Sequence, residues 1–314
     1  MAELFDGSTD DFRRFIPVNV NFLLEDALPK IEEVEMLVLP RFLGEAITEQ
    51  IVGYFSESTL TKPQEKALFL ARKVVANLGF ERHLPFCEVQ FDNDGVTVTA
   101  SAERKPAFEY QTIKLSKTLL DTGWEAMDLL ISHVASLPSL FPDWTDAPYY
   151  QEHQDALFKN AKDFSKFYPI QDRWLTFWAL RPVIQAIEED KGEAELARVD
   201  ALPGTVTEDQ KNKLIRKLKR AIAYQAVINA LPILSFELSG SNVQLNYASQ
   251  YSNIKYFQPL SKEQRADITD NLQKQADLFL SSYEQDMTGL QPAPETTSDS
   301  SPGFTYSTGA VTFA

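Results

Sequence analysis

Cysteine is nearly absent. A single one, Cys87, stands among 314 residues, which excludes an internal disulfide and any cysteine-rich zinc module. Histidine is almost as scarce: only His83, His133 and His153 occur, and no Cys/His cluster offers zinc spacing. Positive charge is short as well. Thirty Lys and Arg face 45 Asp and Glu, for a formal net charge of −15, and so acidic a chain is repelled by phosphate backbones unless its cations are segregated. No apolar run approaches the ~20 residues of a membrane span. The opening Met1–Asp11 is acidic, unlike the basic and apolar start of an export signal. The composition therefore predicts a soluble protein of a reducing compartment, or one resident in an assembly. Walker loops, G-x-G-x-x-G, H-E-x-x-H and G-x-S-x-G are all missing, so no catalytic residue, cofactor or metal is expected.

What the chain does contain is self-similarity, the feature to settle before any motif. Phe15-Ile-Pro-Val recurs as Phe167-Tyr-Pro-Ile, and Phe22-Leu23 and Ala27-Leu28 align with Trp174-Leu175 and Ala179-Leu180. Lys66–Val98 matches Lys213–Leu245, with Ala76/Ala223, Leu84-Pro85/Leu231-Pro232 and Val96/Val243 in register. Each block ends in period-two alternation on both sides of a polar turn. In the first, Val89 and Phe91 precede Asp92-Asn-Asp-Gly95, and Val96 and Val98 follow. In the second, Phe236 and Leu238 precede Ser239-Gly-Ser-Asn242, and Val243 and Leu245 follow. This is the pattern of a β-hairpin.

Around the hairpins the spacing is helical. Leu24, Ala27, Leu28, Ile31 and Val34 form an apolar stripe within Leu23–Leu39, and Arg41–Phe55 reads as one further helix. Thr61 caps a helix with Pro63 in its first turn that runs to Leu84. Leu119, Met127, Leu130 and Val134 mark a long helix ending near Leu137-Pro138. In the second block Arg173–Arg198 is helical, kinked or divided at Pro182. A Thr207/Gln210 capping box opens a helix to Leu231, and Ser261/Gln264 repeats the box before a last helix to Met287.

The predicted fold class is mainly α with small β-hairpins (α+β): two tandem helical-bundle repeats, each helix-helix-hairpin-helix, plus an extended C-terminal arm. Residues 1–138 form the first repeat, 139–163 a packed connector rich in Pro, Asp and aromatics, 164–287 the second repeat, and 288–314 a flexible or docking arm. The arm has no Lys or Arg, and its Ser, Thr, Pro and Gly bury too little apolar area to offset the entropy of ordering. Its last residues set Phe304, Tyr306, Val311 and Phe313 among β-formers, which suits an extended segment docking on a neighbouring subunit.

Individual side chains read mostly as structure. Cys87 aligns with Leu234 and is expected to be a buried packing thiol. Glu32, Glu33 and Glu35 sit off the apolar stripe and predict a solvated face. Trp124, Trp144, Trp174 and Trp178 are expected core anchors. Charge is distributed unevenly: residues 1–160 carry a net −12 and residues 161–287 a net −1. Lys211, Lys213, Arg216, Lys217, Lys219 and Arg220 gather on one predicted helix. That helix is either a solvated face or the surface that meets the acidic first half of an adjacent copy, head to tail, as in a closed ring. Nucleic-acid binding ranks lower because no aromatics interleave with the cations. The candidate interface residues are therefore Lys211, Lys213, Arg216, Lys217 and Arg220, the hairpin tips Asp94 and Ser241, and the arm residues Phe304, Tyr306, Val311 and Phe313.

The opening Phe12-Arg-Arg-Phe-Ile-Pro-Val-Asn19, the helix–helix–hairpin order and Leu140-Phe-Pro-Asp-Trp144 carry a resemblance. Over roughly residues 10–287 the chain resembles a poorly characterised virion structural family of tailed phages and prophages of Bacteroidetes. Its helical parts are similar in pattern to head–tail connector (adaptor, head-completion) proteins. The resemblance implies a structural subunit of the phage neck, made in the host cytoplasm and resident at the neck/tail junction of the virion. Such a subunit self-associates into a ring, contacts the portal protein and tail or neck proteins, lets duplex DNA pass without sequence-specific binding, and has no membrane partner and no catalytic residues. Common adaptors are single helical domains, whereas this chain reads as duplicated, so copy number and symmetry stay open. The alternatives are a tail terminator or other ring component of a phage tail or phage-tail-like injection particle, and a non-virion binding module or chaperone.

Overall fold

The computed structural model describes residues 4–5, 7–19, 21–87, 89–92, 95–98, 108–147, 150, 156–234, 236–239, 242–245 and 262–291. Asp94, Ser241, the Ser261 cap, His153 and the arm residues Phe304, Tyr306, Val311 and Phe313 lie outside the described residues.

In the first half, α1 (Thr9–Phe12) is capped by the Ser8 hydroxyl, which accepts the Asp11 N–H. The stripe of α2 (Leu24–Leu37) buries Leu24, Ala27, Ile31 and Val34. Two short helices, α3 (Leu39–Leu43) and α4 (Glu45–Gly53), and a single 3-10 turn lead into the long α5 (Lys62–Cys87). Strands β1 (Val89–Asp92) and β2 (Gly95–Val98) pair antiparallel, with Val89 opposite Val98 and Asp92 opposite Gly95. A second long helix, α6 (Glu109–Ala135), packs along α5, and α2 packs on α5 in turn.

The second half follows the same order. Helix α7 (Ala161–Ser165) is capped by Asn160, whose side chain accepts the Asp163 N–H at 2.8 Å. Then come α8 (Trp174–Ile187), α9 (Glu193–Asp200) and α10 (Glu208–Ala230). Strands β3 (Phe236–Ser239) and β4 (Asn242–Leu245) pair with the register of the first ladder, Phe236 opposite Leu245 and Ser239 opposite Asn242. Helix α11 (Lys262–Leu290) then lies along α10 as α6 lies along α5.

Three expected helices end differently, each for a local reason. Arg41–Phe55 is not one helix: Gly44 sits at φ +84° between α3 and α4, a conformation that suits glycine and closes the first of them. Helix α5 does not stop at Leu84-Pro85 but runs a further turn, which leaves Pro85, Phe86 and Cys87 outside the core. Cys87 is therefore exposed, not buried, with its thiol 3.8 Å from the His83 carbonyl oxygen. The Arg173–Arg198 segment is interrupted at Glu188–Gly192, a π-helical turn, while Pro182 is carried inside α8. Buried Arg181 and Glu188 pair at 2.7 Å at that interruption.

One hydrophobic cluster runs through both halves and includes Trp144, Trp174 and Trp178, with Trp124 packed against it. Phe42 joins the halves by stacking on Trp178 at 5.9 Å and meeting Trp124 edge to face at 5.7 Å. Close by, Asp128 of α6 accepts the Leu175 N–H of α8 at 2.8 Å, a carboxylate at the N-terminus of a helix from the other half. Burial pushes this carboxyl up to about 7, against the Leu175 and Trp174 N–H groups and Arg173, while Glu125 adds to the rise. Between pH 3.8 and about 7 the folded carboxyl therefore holds a proton that the unfolded chain releases. Stability falls as pH rises through that window, by up to about 4 kcal/mol in all. Asp128→Asn is expected to flatten this dependence, and thermal midpoints measured between pH 4.5 and 8 check it.

Candidate functional site: a basic cleft in the second half

Helix α10 is opened by the predicted capping box: Gln210 donates its N–H to the Thr207 hydroxyl, and the Gln210 side chain accepts the Thr207 N–H at 2.8 Å. The helix buries Leu214, Leu218, Ala221 and Ile222. At three- and four-residue steps beside that stripe stand Lys213, Arg216, Lys217 and Arg220, so one flank of the helix is cationic. With Lys166 and Phe167 after α7, and Phe279 and Ser282 of α11, these four line a cleft of about 480 Å³.

Inside the cleft the cations are held apart by few carboxylates. Lys217 Nζ lies 2.6 Å from Asp286 and 2.8 Å from the Ser282 hydroxyl, and Lys213 reaches the same Asp286 oxygen at 3.3 Å. The hydrogen bond from Lys217 holds the Asp286 carboxyl below the usual range against the opposing effect of burial, with a further contribution from the Lys213 hydrogen bond. Lys166 pairs with Asp163 at 3.3 Å. The Arg220 guanidinium lies 5.2 Å over the Phe279 ring. Among the described residues neither Arg216 nor Arg220 has an ion-pair partner, and both are exposed. The chemistry on offer is recognition of carboxylate or phosphate, with two guanidinium forks available.

The structure thus brings Lys213, Arg216, Lys217 and Arg220 together and leaves out Lys211, whose ammonium reaches only the Asp200 carbonyl at 3.4 Å. Lys219 belongs elsewhere altogether. It is largely buried, 3.0 Å from Asp163, with its ammonium 5.3 Å from the Phe158 ring and 5.8 Å from the Phe167 ring. Arg72 does the same in the first half: it pairs with Asp11 and lies 4.7 Å over Phe5 and 5.0 Å over both Phe15 and Phe55.

A buried glutamate accompanies each of these clamps. Leu4 donates its N–H to Glu35 at 3.2 Å, and Leu157 donates its N–H to Glu188 at 3.1 Å. Glu35 is therefore not on a solvated face; it is 6% exposed. Residues 157–163, expected as connector, make the contacts in the second half that residues 4–11 make in the first. The signal was in the aligned blocks: Asp11/Asp163 stand four residues before Phe15/Phe167, and Arg72/Lys219 keep their charge.

In the first half only two of the four cleft cations are matched in charge, Lys66 standing for Lys213 and Lys73 for Arg220 in the aligned blocks. Phe69 and Leu70 take the places of Arg216 and Lys217; Phe69 packs on Phe15 at 5.5 Å and Leu70 is buried. The histidines offer little chemistry. His83 is buried beside Phe22, Phe80 and Phe86, and burial pulls its pKa down despite Asp26. His133 Nε2 is 2.9 Å from the Pro63 carbonyl oxygen. No group of three or more His, Cys, Asp or Glu able to hold a metal ion occurs among the described residues. Nor is any helix among them long and apolar enough to cross a membrane.

A helical protein of two like halves, with a basic cleft in the second, is the class that fold and site define. The chain belongs to a family of unknown function, DUF6712, whose model matches residues 39–154 and 182–287. These stretches begin at α3 and within α8 and end beyond α6 and within α11, one in each half, as a repeat would give. No curated protein and no solved structure matches the chain.

Proposed function

We propose that the chain is a structural subunit of a tailed-phage neck, a head–tail connector or adaptor ring between portal and tail that conducts DNA without catalysis. The observation that carries this reading is the basic cleft of α10 and α11, set in a chain whose first 160 residues have a net charge of −12. A cationic cleft on one half and an acidic surface on the other favour head-to-tail contact between copies, and such heterologous contacts close into rings. The remaining acidic surface suits a passage for duplex DNA, because repulsion keeps the polyanion from sticking. In this reading each half is an α+β unit of helices around a hairpin, the two arose by duplication, and the C-terminal arm adds contacts on assembly. The neighbours are other copies, the portal protein and tail or neck proteins.

Reversing Arg216 tests the contact with the least disturbance to the fold, since that side chain is exposed. Arg216→Glu is expected to keep the thermal midpoint of the wild-type chain and to weaken self-association at least tenfold in sedimentation velocity. The triple reversal of Lys213, Arg216 and Lys217 should abolish association, and wild-type association should weaken with added salt. Association indifferent to both charge reversal and salt would remove the electrostatic ring. Placement is a separate measurement: mass spectrometry of purified particles should count one ring of copies against the major capsid protein, and absence from particles would exclude the virion role.

A further inference from the structure

The two halves differ at a groove that lies away from the basic cleft. In the first half, the segment from Phe15 to Phe22, α5 and α6 enclose an open groove of about 700 Å³. Ile16, Phe22, Asn77, Phe80, Leu115 and Leu119 form its walls, and no charged side chain lines it. Asn77 is buried and turns its amide to the Lys73 carbonyl at 2.8 Å, so it does not fill the space. The shared clamps and hairpin ladders set the register between the halves, and in that register Tyr168 takes the place of Ile16 and Tyr224 that of Asn77. Their rings meet edge to face at 5.1 Å, and Tyr224 meets Phe279 at 5.1 Å. In the first half Ile16 and Asn77 replace these two tyrosines, and the rings at the groove are those of Phe22 and Phe80 in its walls.

We infer that the groove of the first half receives the C-terminal segment Phe304–Phe313 of this chain, one of its aromatic side chains standing where Tyr224 stands in the second half. In the second half the corresponding position holds a pair of rings. The segment has the matching chemistry: Phe304, Tyr306 and Phe313 within a stretch free of Lys and Arg from Thr288 onward, against an uncharged apolar wall. Residues 292–314 follow α11 and span about 75 Å when extended, at roughly 3.3 Å per residue. The inference does not rest on the virion reading and concerns a different surface from the basic cleft.

The experiment is disulfide trapping in the full-length chain with Cys87→Ser as background. Thr118→Cys on the groove rim is combined with Ser307→Cys in the segment, and exposed Ser58→Cys replaces Thr118→Cys as the control. Under mild oxidation the groove pair is expected to cross-link at least tenfold faster than the control. Asn77→Tyr, which restores the ring of the second half, should bring the rate down to the control. Because that change is made in a buried site, Phe304→Ala/Tyr306→Ala/Phe313→Ala, remote from the helices, must have the same effect. A monomeric product assigns the segment to its own groove and a dimeric one to a neighbour's; either supports the inference. Equal rates at Thr118→Cys and Ser58→Cys, or a rate untouched by the aromatic triple variant, would overturn it.

Discussion

Arg72→Ala is expected to lower the unfolding free energy by about 3–5 kcal/mol, the usual consequence of removing one partner of a buried ion pair. Arg72 is 8% exposed and Asp11 21%, so the carboxylate, left with only the exposed Arg14 at 3.6 Å, is poorly reached by water. The same change removes a cation from between the rings of Phe5, Phe15 and Phe55 and loosens α1, to which Asp11 belongs. Arg72→Lys should cost much less, because the second half performs this task with Lys219 on Asp163. Lys219→Ala should fall between the two, since a lysine is a point charge without a guanidinium fork and sits over two rings instead of three. Urea unfolding of the three variants checks the order. A loss below about 1 kcal/mol for Arg72→Ala would show that the pair behaves as a surface salt bridge.

The second large effect belongs to Gly79. A Cβ there would stand 2.8 Å from Ile31 Cα, 2.9 Å from Ile31 Cγ1 and 3.1 Å from Ile31 N, so it meets the backbone of α2 as well as a side chain. Gly79→Ala is expected to cost about 2 kcal/mol, an overpacking penalty of about 3 reduced by roughly 1 from better helix propensity. Gly123→Ala is the internal control. Its Cβ would meet Leu78 Cδ2 at 2.5 Å and Cγ at 2.7 Å, atoms of a buried side chain that can give way by repacking, and its cost should be smaller, about 1 kcal/mol. Equal losses for the two variants in chemical denaturation would mean that α2 and α5 yield more easily than this spacing implies.

How much of this was legible in the chain depends on the range of the interactions. Local devices were readable: the Thr207 cap, the α2 stripe and the order of elements in each half follow from hydrogen bonds and spacings within a few residues. Glu35 was not, because its burial is made by Leu4 folding over it from 31 positions away. Lys219 looked like one more cation on a basic helix; only the turn of α10 separates it from Lys217 and aims it at Asp163. Gly44 interrupts a segment whose apolar spacing continues on both sides, and a positive φ leaves no mark on that spacing. Asp128 escaped for the same reason as Glu35, since the helix end that it caps lies in the other half. The cleft was half visible. Its four cations were named from sequence, while Lys166, Phe279 and Ser282 came from elements that only folding brings alongside.

The clamps of Arg72 and Lys219 keep the two halves on one plan, yet the next positions along the same helices, Phe69 and Leu70 against Arg216 and Lys217, have gone separate ways. A molecule made from two copies of one scaffold with unlike faces has a front and a back. In the ring proposed above, contact through the cleft would have a direction, because a symmetric front-to-front pair would set guanidinium against guanidinium. Unlike faces on one plan give the molecule its polarity.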